Sequence, residues 1–231
     1  FRRVLFRSAS ARTVIKAENL AVAPGFIDIH SHHDWYLLEK DPFPRFASFL
    51  LQGVTSCVVG NCGWTAAPCL PGTKPFLLRQ LQSMGPLVED LPWDTTAQYF
   101  DWLEKRGLPC NIAQLAGHGA IRIAVMGDNE RPPTSDELSR MKALVRESME
   151  AGCIGFSTGL MYYPGMFSRT EELVELAKVA AEYGGRYATH LRGYCATLGR
   201  SMAEAVAVAR AAEIPFQVSH LHAVPLMGAL S

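Results

Sequence analysis

Short apolar runs ending in polar residues alternate with stretches of helical periodicity along most of this chain. Pro24-Gly25 turns into Phe26-Ile27-Asp28-Ile29-His30, which reads as a buried strand with polar residues at its end. Val54 to Val59 is short and β-branched, and Gly60 stops it. Asn111 to Leu115 is a third apolar run, followed by Gly117-His118-Gly119. Cys153 to Ser157, Arg186 to His190 and Pro215 to His220 make the fourth, fifth and sixth. Helices are expected between them. Thr134 and Glu137 have capping-box spacing, Leu138, Met141, Leu144, Val145 and Met149 follow on one face, and Gly152 ends the run. Leu173, Leu176, Ala177 and Ala180 mark the next helix, closed by Gly184-Gly185. Met202, Ala205, Val206, Ala209 and Ala212 mark another, stopped by Pro215.

Repeated strand–helix units with buried strands imply an α/β fold with a parallel sheet. An open doubly wound sheet and a (β/α)8 TIM barrel both satisfy that. The polar residues favour the barrel, because there all strand ends meet at one face, where active sites are built. Proline-rich residues 64–110 interrupt the rhythm and read as an insertion after the second strand, with a helical piece at Thr95 to Arg106. Thr13 to Ala17 is a short strand-like stretch ahead of the barrel.

Composition narrows the class. The chain has 231 residues, 48% of them hydrophobic, ample for a large core. Lys+Arg and Asp+Glu both count 22, so nothing points to nucleic acid or an acidic membrane surface. No apolar run is long enough for a membrane span, and basic Phe1 to Ser8 lacks the apolar stretch of a signal peptide. The six cysteines are scattered, as expected of reduced thiols in the cytoplasm. Residues 1–8, FRRVLFRS, resemble a translated sequencing adapter and are expected to be foreign to the fold. The other end, Leu226 to Ser231, carries no closing helix or strand, so the reading is an open frame from an incomplete, metagenomic-type DNA assembly.

The candidate chemistry lies at the strand ends. His30 and His32 are two apart, so in an extended strand both rings point the same way. Cys62 sits in Gly60-Asn61-Cys62-Gly63, where flanking glycines let the backbone bend a thiolate inward. His190 and His220 end the fifth and sixth strands. Imidazole and thiolate are natural zinc ligands. One such histidine is more often packed or solvated than a ligand. Five such residues on successive strand ends form a pattern, and none of the seven histidines falls in an expected helix. Cys57 and Cys153 read as buried apolar groups. His118, Tyr163 and Arg192 are polar residues expected on the same face, as substrate contacts. Arg192 suits either a substrate carboxylate or a structural salt bridge. Tyr162 and Tyr163 suit either an acyl pocket or loop packing.

Pro24 to Asp34 (PGFIDIHSHHD) resembles the first-strand metal motif of the amidohydrolase superfamily. Gly53 to Gly63 (GVTSCVVGNCG) is similar to the second-strand motif of its D-aminoacylase, or N-acyl-D-amino-acid deacylase, branch. There a cysteine stands where many relatives use a carboxylated lysine. LAGHGAIR (115–122), AGCIGFSTGLMYYPG (151–165), YATHLR (187–192) and QVSH (217–220) continue the match in family order. The resemblance implies zinc-dependent hydrolysis of N-acyl-D-amino acids, a small-molecule substrate. It also implies a tight zinc on Cys62, His190 and His220, and a weaker second position on His30 and His32 bridged by Cys62. Residues 9–23 would be the remnant of a small β-sandwich, and residues 24–231 a TIM barrel truncated after about six strands. Leu221, His222 and Gly193-Tyr194-Cys195 depart from the family pattern near the metal, which touches substrate identity. The family's general-base aspartate comes from the eighth strand and is expected beyond residue 231, so this stretch alone is expected to be inactive. The alternatives are a cyclic amide or imide hydrolase on the same scaffold, or a catalytically inactive metal-binding fragment.

Overall fold

The computed structural model describes Thr13, residues 16–83, Gly85 and residues 88–223. Residues 1–8 and 224–231 therefore lie outside the described residues, as do Val14 and Ile15 of the strand-like stretch. Thr13, Lys16 and Ala17 belong to no strand, and the first strand among the described residues is β1, Phe26–Asp28. The elements that follow are α1 (Phe43–Leu51), β2 (Val54–Val59), α2 (Lys74–Gln82), α3 (Thr96–Arg106), β3 (Asn111–Gln114) and β4 (Ala116–Gly117). After them come α4 (His118–Met126), α5 (Ser135–Ala151), β5 (Gly155–Gly159), α6 (Thr170–Glu182), β6 (Arg186–His190), α7 (Leu198–Ala211) and β7 (Phe216–Val218).

Every strand pair is parallel, and the order is β1-β2-β3 in one sheet and β4-β5-β6-β7 in the other. Each strand lies beside its successor, as in a barrel wall. A doubly wound sheet reverses its order partway, and this one does not. The gap between the sheets falls within one extended segment. Leu115 N donates to Val59 O at 3.0 Å and Ile154 N donates to Gln114 O at 2.9 Å, so residues 111–117 join both sheets. The wall does not close among the described residues: β1 and β7 have one strand neighbour each. Apolar Phe26, Ile27 and Ile29 on and beside β1 are 58–67% exposed.

The helices follow their caps. Thr134 and Glu137 form the expected capping box of α5, and Gly152 ends it at φ 117°. The buried faces of α5 and α6, with Met141, Val145, Leu173 and Leu176, pack on Phe156 and Tyr187 of the sheet. A second cluster, with Trp64, Leu77, Leu91, Trp93, Tyr99 and Leu103, gives residues 64–110 a core of their own. Three helices, α1, α2 and α4, are not singled out from the sequence. All nine residues of α4 are buried, so it has no polar face to reveal a period. α1 does carry a helical apolar period, at Phe43, Phe46, Phe49 and Leu50, but of these only Phe46 is buried. The expectation that no histidine lies in a helix is corrected: His118 opens α4 and His33 opens a 3-10 turn, His33–Leu38. Among the described residues no helix is long and apolar enough to cross a membrane.

Candidate metal centre

The loop after β2 fixes the thiol. Gly60, Cys62 and Gly63 all have positive φ, at 73°, 56° and 76°. A Cβ on Gly60 would lie 2.4 Å from Leu115 O, and one on Gly63 would lie 2.9 Å from Gly159 N, so only glycine fits either position. Cys62 itself is a side-chain-bearing residue held in the left-handed region, which costs ~1–2 kcal/mol. The surroundings hold it there. Ser157 Oγ on β5 accepts from Gly63 N at 3.0 Å and donates to Gly60 O. Asn61 Nδ2 donates to Val58 O at 2.9 Å and to Ser31 O at 3.3 Å, tying this loop to the His30-Ser31-His32 segment. Ser157 and Asn61 are fully buried clamps that the sequence reading missed, since single polar residues in apolar runs carry no periodic signal.

Around the Cys62 Sγ stand three imidazole nitrogens: His220 Nε2 at 3.4 Å, His30 Nε2 at 3.6 Å and His190 Nδ1 at 3.9 Å. His190 Nδ1 and His220 Nε2 are 3.0 Å apart. His30, Cys62 and His220 offer ligand atoms all within 4.8 Å of one another. His190 is close to Cys62 and His220 but falls outside that three-way set. His32 lies one ring further out, its centroid 5.4 Å from His30 and 4.9 Å from Trp35, on which it stacks. Tyr194 supports the far side of His220: its hydroxyl is 3.1 Å from His220 Nδ1, accepts from Leu191 N at 2.9 Å and donates to Ser219 O at 3.3 Å. That leaves His220 Nε2 facing the thiol. Tyr162 Oη is 3.2 Å from His190 Nδ1.

This donor set fits zinc. Bonds of ~2.0–2.3 Å to a tetrahedral ion put neighbouring ligand atoms ~3.3–3.8 Å apart, close to the spacings above. Burial first, then His220 and His30 nearby, pulls His190 down to about 4. Burial with His30 and His220 does the same to His32, also to about 4. His30 and His220 are lowered too, by burial and then by a neighbouring histidine. All four imidazoles are thus neutral near pH 7, the form that binds a metal. The buried Nδ1 of His30 and Nε2 of His190 have no partner among the described residues. Burial, and then the Asp34 carboxylate, pushes the Cys62 thiol up to about 12. Asp34 is itself buried, and burial raises it to about 7.

The three expected substrate contacts fare differently. His118 is fully buried, with Nε2 2.8 Å from Glu172, whose carboxylate also takes two bonds from Arg122 at 2.7 and 2.8 Å. Arg192 donates to both Glu204 oxygens at 2.9 Å, to Met166 O and to Ser168 O. Both side chains are occupied by internal partners rather than presented to a substrate. Tyr163 is 37% exposed and lines a cleft beside Tyr162.

Sequentially ordered parallel strands with thiol and imidazoles at their ends define a metal-binding α/β barrel wall, and the chain belongs to the amidohydrolase family, whose model matches residues 13–227. It is 37% identical to a D-aminoacylase from Alcaligenes xylosoxydans xylosoxydans over 92% of this chain and 42% of that protein. It is 38% identical to an N-acyl-D-glutamate deacylase of the same organism, again over 92% of this chain and 42% of the relative. The chain thus spans about 42% of the length of these relatives. Among solved structures it superposes on an N-acyl-D-glutamate deacylase from Bordetella bronchiseptica, complexed with zinc and a phosphonate inhibitor, with TM-score 0.74 and 34% identity, covering 89% of this chain and 41% of that one. A D-aminoacylase structure matches with TM-score 0.73 and 33% identity over 86% of this chain and 40% of the other.

Proposed function

We propose that the protein carrying this chain hydrolyses the amide bond of N-acyl-D-amino acids, giving a D-amino acid and a carboxylate. The observation that carries this is the Cys62 thiol held by a strained loop within 3.4–3.9 Å of three imidazole nitrogens. In this reading Cys62, His190 and His220 would hold the tight zinc, and His30 and His32 would serve a weaker second position beside Cys62. A zinc ion held by these residues would supply Lewis acidity for the amide carbonyl and for an attacking water, whose pKa such an ion lowers from ~16 towards 7. The chain's residues orient that chemistry. Ser157 and Asn61 fix the thiol, and Tyr194 fixes which nitrogen His220 presents. The aromatic arc of Trp35, Trp64 and Tyr162, with ring centroids 5.6 and 5.4 Å apart, excludes water from one side. Residues 24–223 form the barrel wall, with residues 64–110 inserted in it. The free cysteines suit a reducing compartment, and we assign the cytoplasm.

The test is to assay the longer protein, loaded with zinc, on N-acetyl-D- and N-acetyl-L-amino acids and on cyclic amides. The reading expects turnover of the D series and stoichiometric zinc. A dihydroorotase from Geobacter sulfurreducens also matches this chain, at 27% identity over 55% of it. Turnover of cyclic amides alone would replace the deacylase reading with the cyclic-amide one. A stable protein that binds no zinc would refute both.

A further inference from the structure

Two thiols outside the metal centre lie in contact. Cys57 on β2 and Cys110, just before β3, have their sulfurs 3.8 Å apart. The strand register brings them together. Ser56 pairs with Asn111 and Cys57 with Ile112, so Cys57 and Cys110 are diagonal neighbours whose side chains share one face of the sheet. Both are free thiols. Cys57 is buried and held in the ladder between Asp28 and Ile112. Cys110 is half-buried and ends a looser segment, in which Leu108 is exposed and a Cβ on Gly107 would touch nothing.

The pair also brackets the insertion. Residues 64–110 leave β2 by way of the Cys62 loop and rejoin the wall at β3, so Cys57 stands before that segment and Cys110 at its end. A bond between the two sulfurs would close the whole stretch into one loop. Disulfide sulfurs lie ~2.05 Å apart, so the pair must draw together by about 1.8 Å. The Cys110 side supplies that movement, because Cys57 has paired strands on both sides.

We propose that Cys57 and Cys110 form a reversible disulfide when glutathione disulfide accumulates, a redox-sensitive staple that fixes the end of residues 64–110 to the strand leading into the metal loop. This stands apart from the reaction proposed above. Cys110, the more accessible thiol, reacts first. Its thiolate attacks one sulfur of glutathione disulfide, giving a mixed disulfide and a glutathione thiolate, which takes up the proton Cys110 lost. Cys57 then attacks the Cys110 sulfur, and its proton passes to the departing second glutathione. Two thiols are oxidised to one disulfide while glutathione disulfide is reduced to two glutathiones. Burial, and then Cys110 nearby, pushes the Cys57 thiol up to about 12, so roughly one in 10⁵ is ionised at pH 7. Effective molarities of ~10⁵ M or more for groups held in contact offset that deficit.

The test treats the longer protein with glutathione disulfide in the presence of zinc, on a Cys195→Ser background that removes the exposed competing thiol. Remaining thiols are alkylated, and the peptides are mapped by mass without reduction. The expected product is a peptide pair linked through Cys57 and Cys110, released by dithiothreitol. Closing so long a loop should raise the Tm by ~5 °C or more, and dithiothreitol should return it. Cys110→Ser should lose both the link and the rise. Cys57 and Cys110 both alkylated after treatment, or glutathione left on Cys110 with Cys57 free, overturns the switch. A linked pair with unchanged Tm, or a rise that survives in Cys110→Ser, overturns the staple. Should that variant not fold, the same protein with and without dithiothreitol decides, since the comparison needs no substitution at either thiol.

Discussion

Replacing Cys62 by alanine isolates the thiolate from everything else in the loop. Alanine has the same Cβ as cysteine, so the left-handed strain at φ 56° is unchanged. Burial keeps the metal-free thiol protonated, pushed up to about 12, so no buried charge is lost with it. The metal-free variant should therefore differ from wild type by only ~1 kcal/mol, an ordinary core truncation. Zinc binding should change far more. Protein zinc sites are worth ~10–16 kcal/mol over about four ligands, or roughly 3 kcal/mol each, so affinity should fall about 100-fold or more. The readout is thermal unfolding with and without zinc, backed by competition against a chelating dye. At a free zinc concentration ~1,000 times the wild-type Kd, binding stabilises the wild type by ~4 kcal/mol. For a domain of this size that is roughly 8–16 °C in Tm. At the same zinc concentration the variant would be near 10 times its Kd and keep only ~1.4 kcal/mol, about a third of the shift. Zinc affinity within tenfold of wild type, with an undiminished shift, would refute Cys62 as a ligand.

Ser157→Ala removes both ties that hold the Cys62 loop from β5, and zinc affinity is expected to fall ~10-fold or more, as for other supporting partners of metal ligands; dye competition measures it. Tyr194→Phe removes the hydroxyl beside His220 Nδ1, with a similar ~10-fold loss, and an unchanged affinity would remove Tyr194 from the support of the site. Glu172→Gln leaves Arg122 as an unpaired buried cation and should cost about 3–5 kcal/mol in urea unfolding. The same carboxylate sets an acid limit. Burial would raise its pKa, but His118 and Arg122 outweigh that and hold it below the ordinary range. Its stability contribution is full above the unfolded carboxylate pKa and fades as pH falls through the lower folded value. The wild type should thus lose stability on acidification below about pH 4.3, and the Gln variant should lose less over that window.

Much of the strand–helix rhythm was legible in the sequence because it is written in local spacing. The capping box at Thr134 and Glu137, the stop at Gly152 and the apolar runs 54–59 and 186–190 each depend on residues within a few positions of one another. The five candidate ligands were legible for a related reason: histidines and one glycine-flanked cysteine at strand ends stand out against apolar runs. What tertiary structure decided was which atoms meet. Only the register of β1, β2, β5 and β6 sets His30, Cys62 and His190, the last of them 128 positions beyond Cys62, around one point. The same packing gave His118 and Arg192, expected as substrate contacts, internal partners in Glu172 and Glu204. Nothing in the spacing of those residues announces such a partner, because a contact between helices or loops depends on distance in space and not in sequence. It also hid α4, buried on all sides, and made clamps of Asn61 and Ser157. A buried polar atom needs a partner wherever the fold supplies one, and only the fold determines where that is.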